Sequence, residues 1–297
     1  MFQPLLEAGL RQTMQRLVRP MLSNAVPLKL QRQLIRQAYR SSVPPRSARF
    51  VRDDLGDVPV VRTTATEEPS GTILYLHGGG YIIGSADTHR GITGHLAKLS
   101  GCEVITPDYR LAPEHPFPAA LDDAESVYLA LISQGLPATS LALAGDSAGG
   151  GLSIALAMKL RDHKHPLPSS ITCFSPWVDL SQSALYQPER EPVLHASWTA
   201  NAARMYAGNE PLTTPLISPV YGQLDNLPPL LIQAGSQEIL LNDATWLADV
   251  AKRDGVETRL EIYNNLWHVF QVHCGQLTRA TEAMQVAADH VRAHLAS

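Results

Sequence analysis

From about residue 48 onward, short apolar runs rich in β-formers alternate with stretches of helical period, and this alternation constrains the fold more than any single motif. The residue pattern predicts strands near Ala48–Asp53, Val58–Thr63, Thr72–Leu76, Glu103–Pro107, Leu141–Gly145, Ile171–Phe174, Pro229–Ala234 and Thr258–Tyr263. Between them it predicts helices near His89–Leu99, Ala119–Ser133, Ala148–Leu160, Ala244–Arg253 and Arg279–Leu295. Several of the strands are apolar almost throughout, as strands covered on both faces must be. The expectation is one α/β domain over residues 1–297, with a mostly parallel central sheet and helices on both faces. Two segments fall outside the alternation: residues 1–45, closed by Pro44-Pro45, and residues 181–215, where a helical face of Trp198, Ala202, Met205 and Tyr206 is flanked by prolines. Neither reads as a unit that could stand alone, and together they are expected to form a small helical lid over the strand ends.

A strand run ends at Gly145-Asp-Ser147-Ala-Gly149, and a helical run begins just after the serine. G-x-S-x-G on its own is a short pattern. Placed at a strand-to-helix junction, it describes a sharp turn that lifts a serine hydroxyl to the sheet edge as a nucleophile, with the flanking glycines letting strand and helix approach. A second glycine run, His77-Gly78-Gly79-Gly80-Tyr81, follows the predicted strand Thr72–Leu76. Attack on a carbonyl develops negative charge on oxygen and needs donors fixed beforehand. The N–H groups of Gly78, Gly79 and Gly80 are candidates, together with that of Ala148, the residue after the serine. Neither a P-loop lysine nor the spacing of a dinucleotide fingerprint follows the run, which disfavours a phosphate cradle.

With a serine on such a turn, the acid and then the histidine follow in chain order. Of the histidines after Ser147, only His268 follows a predicted strand by a short loop; His273 is the near alternative. The acid should sit after Pro229–Ala234, in the loop Gly235-Ser-Gln-Glu238. Glu238 lies just past the strand end, whereas Asp243 reads as the acidic first turn of the next helix.

These residues carry a resemblance. His77-Gly-Gly-Gly80, Pro107-Asp-Tyr-Arg-Leu-Ala-Pro-Glu114, Gly145-Asp-Ser-Ala-Gly-Gly150, Ser175-Pro-Trp-Val-Asp-Leu180 and Trp267-His-Val-Phe270 occur in this order. In them the chain resembles the bacterial esterases of the hormone-sensitive-lipase group, within the α/β-hydrolase fold. The resemblance implies a serine carboxylic ester hydrolase working through an acyl-enzyme, without metal or other cofactor, and the small lid leaves room for short- to medium-chain acyl esters. Ser147 would be its nucleophile, His268 its base and Glu238 its acid. Gln237 departs from the aspartate that the glutamate-using branch often carries. The resemblance also implies a lid built from the N-terminal segment and an insertion after the sixth strand, and a homodimer. A lactone or amide hydrolase with the same three residues is the alternative reading; a non-catalytic binding protein is disfavoured because no member is missing. The bulky groups Tyr81, Trp198, Met205 and Tyr206 are the expected pocket lining.

Charge narrows the partners. A net charge of −4 offers no overall attraction to polyanions, so a small-molecule ester rather than nucleic acid is expected. Residues 1–50 carry nine basic side chains and one acid, Glu7, a net +8 that leaves −12 for the rest. Such a start also occurs in transit peptides and membrane-surface helices. The spacing Leu6, Leu10, Met14, Leu17, Met21 favours a lid helix packed down on one side, with its basic face in water. No apolar run is long enough to insert stably into a membrane. Cys102, Cys173 and Cys274 are odd in number and far apart, which points to core packing in a reducing cytoplasm rather than disulfides or zinc.

Overall fold

The computed structural model describes residues 2–188 and 191–296. Met1, Ser297 and, within the 181–215 segment, Glu189 and Arg190 lie outside the described residues. The strands are β1 (Arg49–Leu55), β2 (Val58–Thr64), β3 (Thr72–Leu76), β4 (Glu103–Pro107), β5 (Leu141–Asp146), β6 (Ile171–Phe174), β7 (Leu230–Gly235) and β8 (Thr258–Tyr263). They form one sheet in the order β1-β2-β4-β3-β5-β6-β7-β8. β1 pairs antiparallel with β2, and β2 with β4; all other neighbours are parallel.

The helices are α1 (Phe2–Thr13), α2 (Arg19–Met21), α3 (Leu28–Ala38), α4 (Arg90–Ser100), α5 (Ala119–Ser133), α6 (Ala148–Asp162), α7 (Ala196–Ala207), α8 (Leu241–Arg253) and α9 (Thr278–His294). The two-residue period of the strands divides the core between the faces. Leu74 and Leu76 of β3, with Leu141 and Leu143 of β5, join a large cluster that includes residues of α5, α6 and α8. Ile73, Tyr75, Ala142 and Ala144 point the other way, into a smaller cluster with α4 and α9. Both faces of the central strands are thus covered, which is why these strands carry no alternating polar residues.

The N-terminal segment corrects one detail of the sequence reading. The predicted apolar stripe put Leu17 inside, but Leu17 is 58% exposed and Val18 packs against the core instead. Met14–Val18 forms a π-helical turn between α1 and α2. The wider turn delays the inward face by about one residue, so the stripe slips from Leu17 to Val18.

The two outlying segments meet each other over the carboxyl ends of the strands. Gln31 is buried and accepts a hydrogen bond from Trp198 Nε1 at 2.8 Å, while Asn24 Nδ2 donates to the Ser197 carbonyl at 2.9 Å. Arg32 anchors α3 below, donating to the carbonyls of Ile82 and Ala112 and forming a two-pronged ion pair with Glu114. In an open α/β sheet the crevice outside the strand ends is where ligands bind, and here residues of both segments line it.

Candidate active site

Ser147 sits between β5 and α6 with φ +53° and ψ −120°, a conformation that non-glycine residues rarely adopt. Three backbone hydrogen bonds hold it there. Its N–H donates to the Phe174 carbonyl at 2.8 Å, and its carbonyl accepts from Trp177 at 2.9 Å and Gly151 at 3.2 Å. The flanking glycines are needed for space rather than for unusual φ angles. A Cβ on Gly145 would come within 2.3 Å of the Gly149 carbonyl oxygen, and one on Gly149 within 1.9 Å of that of Leu76.

The loop after β8 brings His268 over this turn, with Nε2 at 3.0 Å from Ser147 Oγ. Nδ1 faces Glu238 Oε2 at 3.6 Å, an ion-pair contact longer than a hydrogen bond. Glu238 is fully buried at the end of β7, and its Oε2 accepts from Ser175 Oγ at 2.7 Å. Ser175 Oγ in turn accepts from the Val269 N–H at 3.0 Å. Ser175 therefore ties the acid loop to the histidine loop, a role that nothing in its sequence position announced beyond its place just after β6. Burial works against a charged His268, but Glu238 beside it, with Glu191 and Asp146, holds the imidazole pKa above its ordinary value. His273, the alternative base, also faces the cavity, but it makes no bond to Ser147, and burial lowers its pKa to about 4. Asp243 lies in the first turn of α8, which begins at Leu241 rather than at Ala244 as expected. Its carboxylate does not cap its own helix: Oδ2 accepts from the N–H groups of Val178 and Asp179 at 2.9 and 2.8 Å.

The glycine run supplies fewer free donors than the sequence suggested. The Gly78 N–H donates to Asp146 Oδ1 at 3.0 Å and is not available to a ligand. Those of Gly79, Gly80 and Ala148 meet no acceptor among the described residues. Gly79 and Gly80 have φ of +121° and +59°, a course that turns the run toward the serine. All three glycines, Ser147 and His268 line one cavity of about 820 Å³ of atom-free space, its open mouth included.

The cavity wall is apolar and comes from the two outlying segments. Met14, Val18, Leu22 and Ile35 contribute from the N-terminal side, and Val193, Leu194 and Trp198 from the other. Of the four expected lining residues only Trp198 is in the wall. Tyr81 and Tyr206 stack on each other, with ring centroids 3.6 Å apart, deep in the core, and Met205 packs half-buried against the same cluster. The helical face of α7 is real, but most of it faces the body of the protein. Glu191 was missed altogether: its Oε1 accepts from Val193 and Leu194 at 2.6 and 3.0 Å, and its Oε2 from Ile239 at 2.8 Å. It thus fastens the cavity wall to the loop that carries Glu238.

Residues 73–272 match the family model described as the alpha/beta hydrolase fold. The chain belongs to the α/β-hydrolase family. An acetyl-hydrolase from Streptomyces hygroscopicus is 41% identical over 74% of this α/β-hydrolase and 75% of its own length. An esterase from Acinetobacter venetianus is 34% identical over 71% of each chain. A solved esterase of the bacterial hormone-sensitive lipase family superposes with a TM-score of 0.91 at 33% identity, covering 100% of both chains. This α/β-hydrolase is therefore a carboxylic ester hydrolase of the bacterial hormone-sensitive-lipase type. Among the described residues, no helix of the hydrolase is long and apolar enough to cross a membrane.

Proposed function

We propose that this carboxylesterase cleaves short- to medium-chain acyl esters through an acyl-Ser147 intermediate. The observation that carries the reading is the 3.0 Å contact between His268 Nε2 and Ser147 Oγ on a strained turn at the floor of an apolar cavity. Ser147 Oγ attacks the ester carbonyl carbon while His268 Nε2 takes its proton. The carbonyl oxygen becomes the oxyanion and meets the unengaged N–H groups of Gly79, Gly80 and Ala148. The C–O bond to the alcohol breaks as His268 returns the proton to the leaving oxygen. Water, deprotonated by the same nitrogen, then attacks the acyl carbon, and His268 returns that proton to Ser147 Oγ as the acyl–Oγ bond breaks and the acid leaves. Glu238 stabilises the imidazolium in both halves and holds the ring, and contacts of this kind tighten once substrate is bound.

Residues 1–45 and 181–215 act as the lid of the single domain, which makes the substrate site a pocket rather than an open groove. The partner is a small ester. Three free, buried cysteines suit a reducing cytoplasm, and a homodimer is the assembly to look for by sedimentation. The test of the mechanism is labelling with a p-nitrophenyl phosphonate ester followed by peptide mass spectrometry. One equivalent of label on Ser147, blocked by a short-chain ester, is the expected result; label on another residue sinks the reading.

A further inference from the structure

Behind the glycine run lies a buried cluster that the steps above do not use. Asp146, the residue before the nucleophile, is 1% exposed; its Oδ1 accepts two hydrogen bonds and has His89 at ion-pair distance. Tyr75 Oη donates at 2.7 Å, the Gly78 N–H at 3.0 Å, and His89 Nε2 stands at 3.3 Å. Asp146 thereby ties the nucleophile turn to the start of the glycine run. The fit leaves no slack, since a Cβ on Gly78 would lie 2.1 Å from Asp146 Oδ2. His89 and Asp146 line the same cavity as Ser147.

The neighbours of His89 favour a charged ring. Its Nδ1 lies 3.1 Å from the Ser85 carbonyl oxygen, which can only accept. Thr88 Oγ1 lies 2.9 Å from the same nitrogen and 2.7 Å from that carbonyl. A proton on Nδ1 suits the Ser85 carbonyl, and one on Nε2 suits the carboxylate at ion-pair distance. The other titratable groups around the ring are Tyr39, His77 and Tyr75, with centroids at 5.2, 5.3 and 6.3 Å, and Asp108 farther off. Burial opposes the cation, but Asp146, with the Ser85 carbonyl and Asp108, raises the His89 pKa. His77, stacked on Tyr109 and pushed down to about 3 mainly by burial, stays neutral. His89 and Asp146 thus stand as a buried pair at ion-pair distance behind the glycine run, arranged for an imidazolium to face a carboxylate.

We propose that His89 is a positioning residue for the ester hydrolysis: its cation neutralises Asp146, so that the carboxylate can hold Gly78, and with it the N–H groups of Gly79 and Gly80, without setting an unbalanced negative charge next to the developing oxyanion. The proposal rests on the acyl-Ser147 mechanism above. In a cavity sheltered from water a bare carboxylate near the oxyanion opposes the transition state far more than the neutral ester ground state. Loss of the cation therefore acts on kcat rather than on KM.

The experiment compares wild type, His89→Gln, Asp146→Asn and the double variant on p-nitrophenyl butyrate, with circular dichroism melting and phosphonate titration of competent Ser147. His89→Gln should lower kcat by about tenfold to a hundredfold, within the range of losing an oxyanion donor, with KM little changed. Adding Asp146→Asn should restore part of that loss, because the amide oxygen still accepts from Gly78 while the stranded charge is gone. If His89→Gln does not fold, the double variant carries the test, and it should keep at least about a tenth of wild-type kcat. A folded His89→Gln enzyme with wild-type kcat, a double variant no faster than folded His89→Gln, or, where His89→Gln does not fold, a double variant falling short of that tenth overturns the role of His89. Phosphonate label on Ser147 in those same samples leaves the nucleophile assignment standing; its absence in wild type removes the mechanism beneath both.

Discussion

The indole of Trp198 lies against Gly80, so close that a Cβ there would come within 2.9 Å of the ring. One side chain thus forms part of the cavity wall and presses on the segment that carries the oxyanion donors. Its Nε1 is held by Gln31 from the opposite segment, so the three pieces around the substrate share this one contact point.

Chain length should therefore be decided at Trp198. Each further methylene of an acyl chain adds up to ~0.8 kcal/mol of burial until the wall is met, so specificity should climb to an optimum at about eight carbons or fewer and then drop. Trp198→Ala should move the drop to longer chains, at a stability cost of about 3 kcal/mol or more for emptying a buried indole site. Specificity constants across a p-nitrophenyl ester series, with melting curves, check both. An unchanged profile in a folded variant removes Trp198 from the wall's function.

Ser147→Ala and His268→Ala should each lower turnover by about 10⁶, as when a nucleophile or its base is removed from a comparable unit. The two together should lose no more than either alone. Additive losses in the double variant, measured with circular dichroism to confirm folding, would show that the residues do not act as one device.

The two carboxylates near the site should separate cleanly. Glu238→Gln should reduce kcat by about 10⁴, the scale on which neutralising such an acid acts. Asp243→Asn should leave the rate nearly intact, because the amide oxygen can still accept from Val178 and Asp179. Its effect should appear in stability. Burial raises the Asp243 pKa from 3.8 to about 7, so the folded state holds a proton there that the unfolded chain releases. That contribution is complete below the unfolded value and disappears as pH rises through about 7. The melting temperature of Asp243→Asn should consequently fall less than that of wild type between pH 5 and 8. An equal fall in both would contradict the assignment.

The pH profile reports on His268. Only the neutral imidazole can accept the Ser147 proton, and Glu238 holds its pKa above the ordinary value, so kcat/KM should rise through a single step centred above about 6.5. Glu238→Gln should move that step downward in the residual activity. A wild-type step at or below the free-histidine value would show that Glu238 does not sustain the cation.

How much of this was legible in the residue order differs between neighbours in the same loop. Ser147, the glycines beside it, His268 and Glu238 were readable because each is tied to the end of a strand. Strand ends follow from short runs rich in β-formers that depend only on local sequence, and the parallel sheet brings β5, β7 and β8 to a common edge. Contacts between distant segments left no such trace. The loss of Gly78 as a free donor comes from Asp146, 68 positions away, and the roles of Ser175 and Glu191 come from loops that meet only after folding. Tyr81 and Tyr206 illustrate the same limit from the other side. Their bulk and spacing suit a pocket wall and a core stack equally well, and the rotation of α7 against the sheet decided for the stack. The sequence by itself determined the α/β architecture and which residue types meet at the strand ends, since both rest on period and chain order. Tertiary structure alone decided which N–H groups stay free and which side chains face the cavity, because a hydrogen bond or a packing contact depends on a partner whose distance along the chain carries no information about its distance in space.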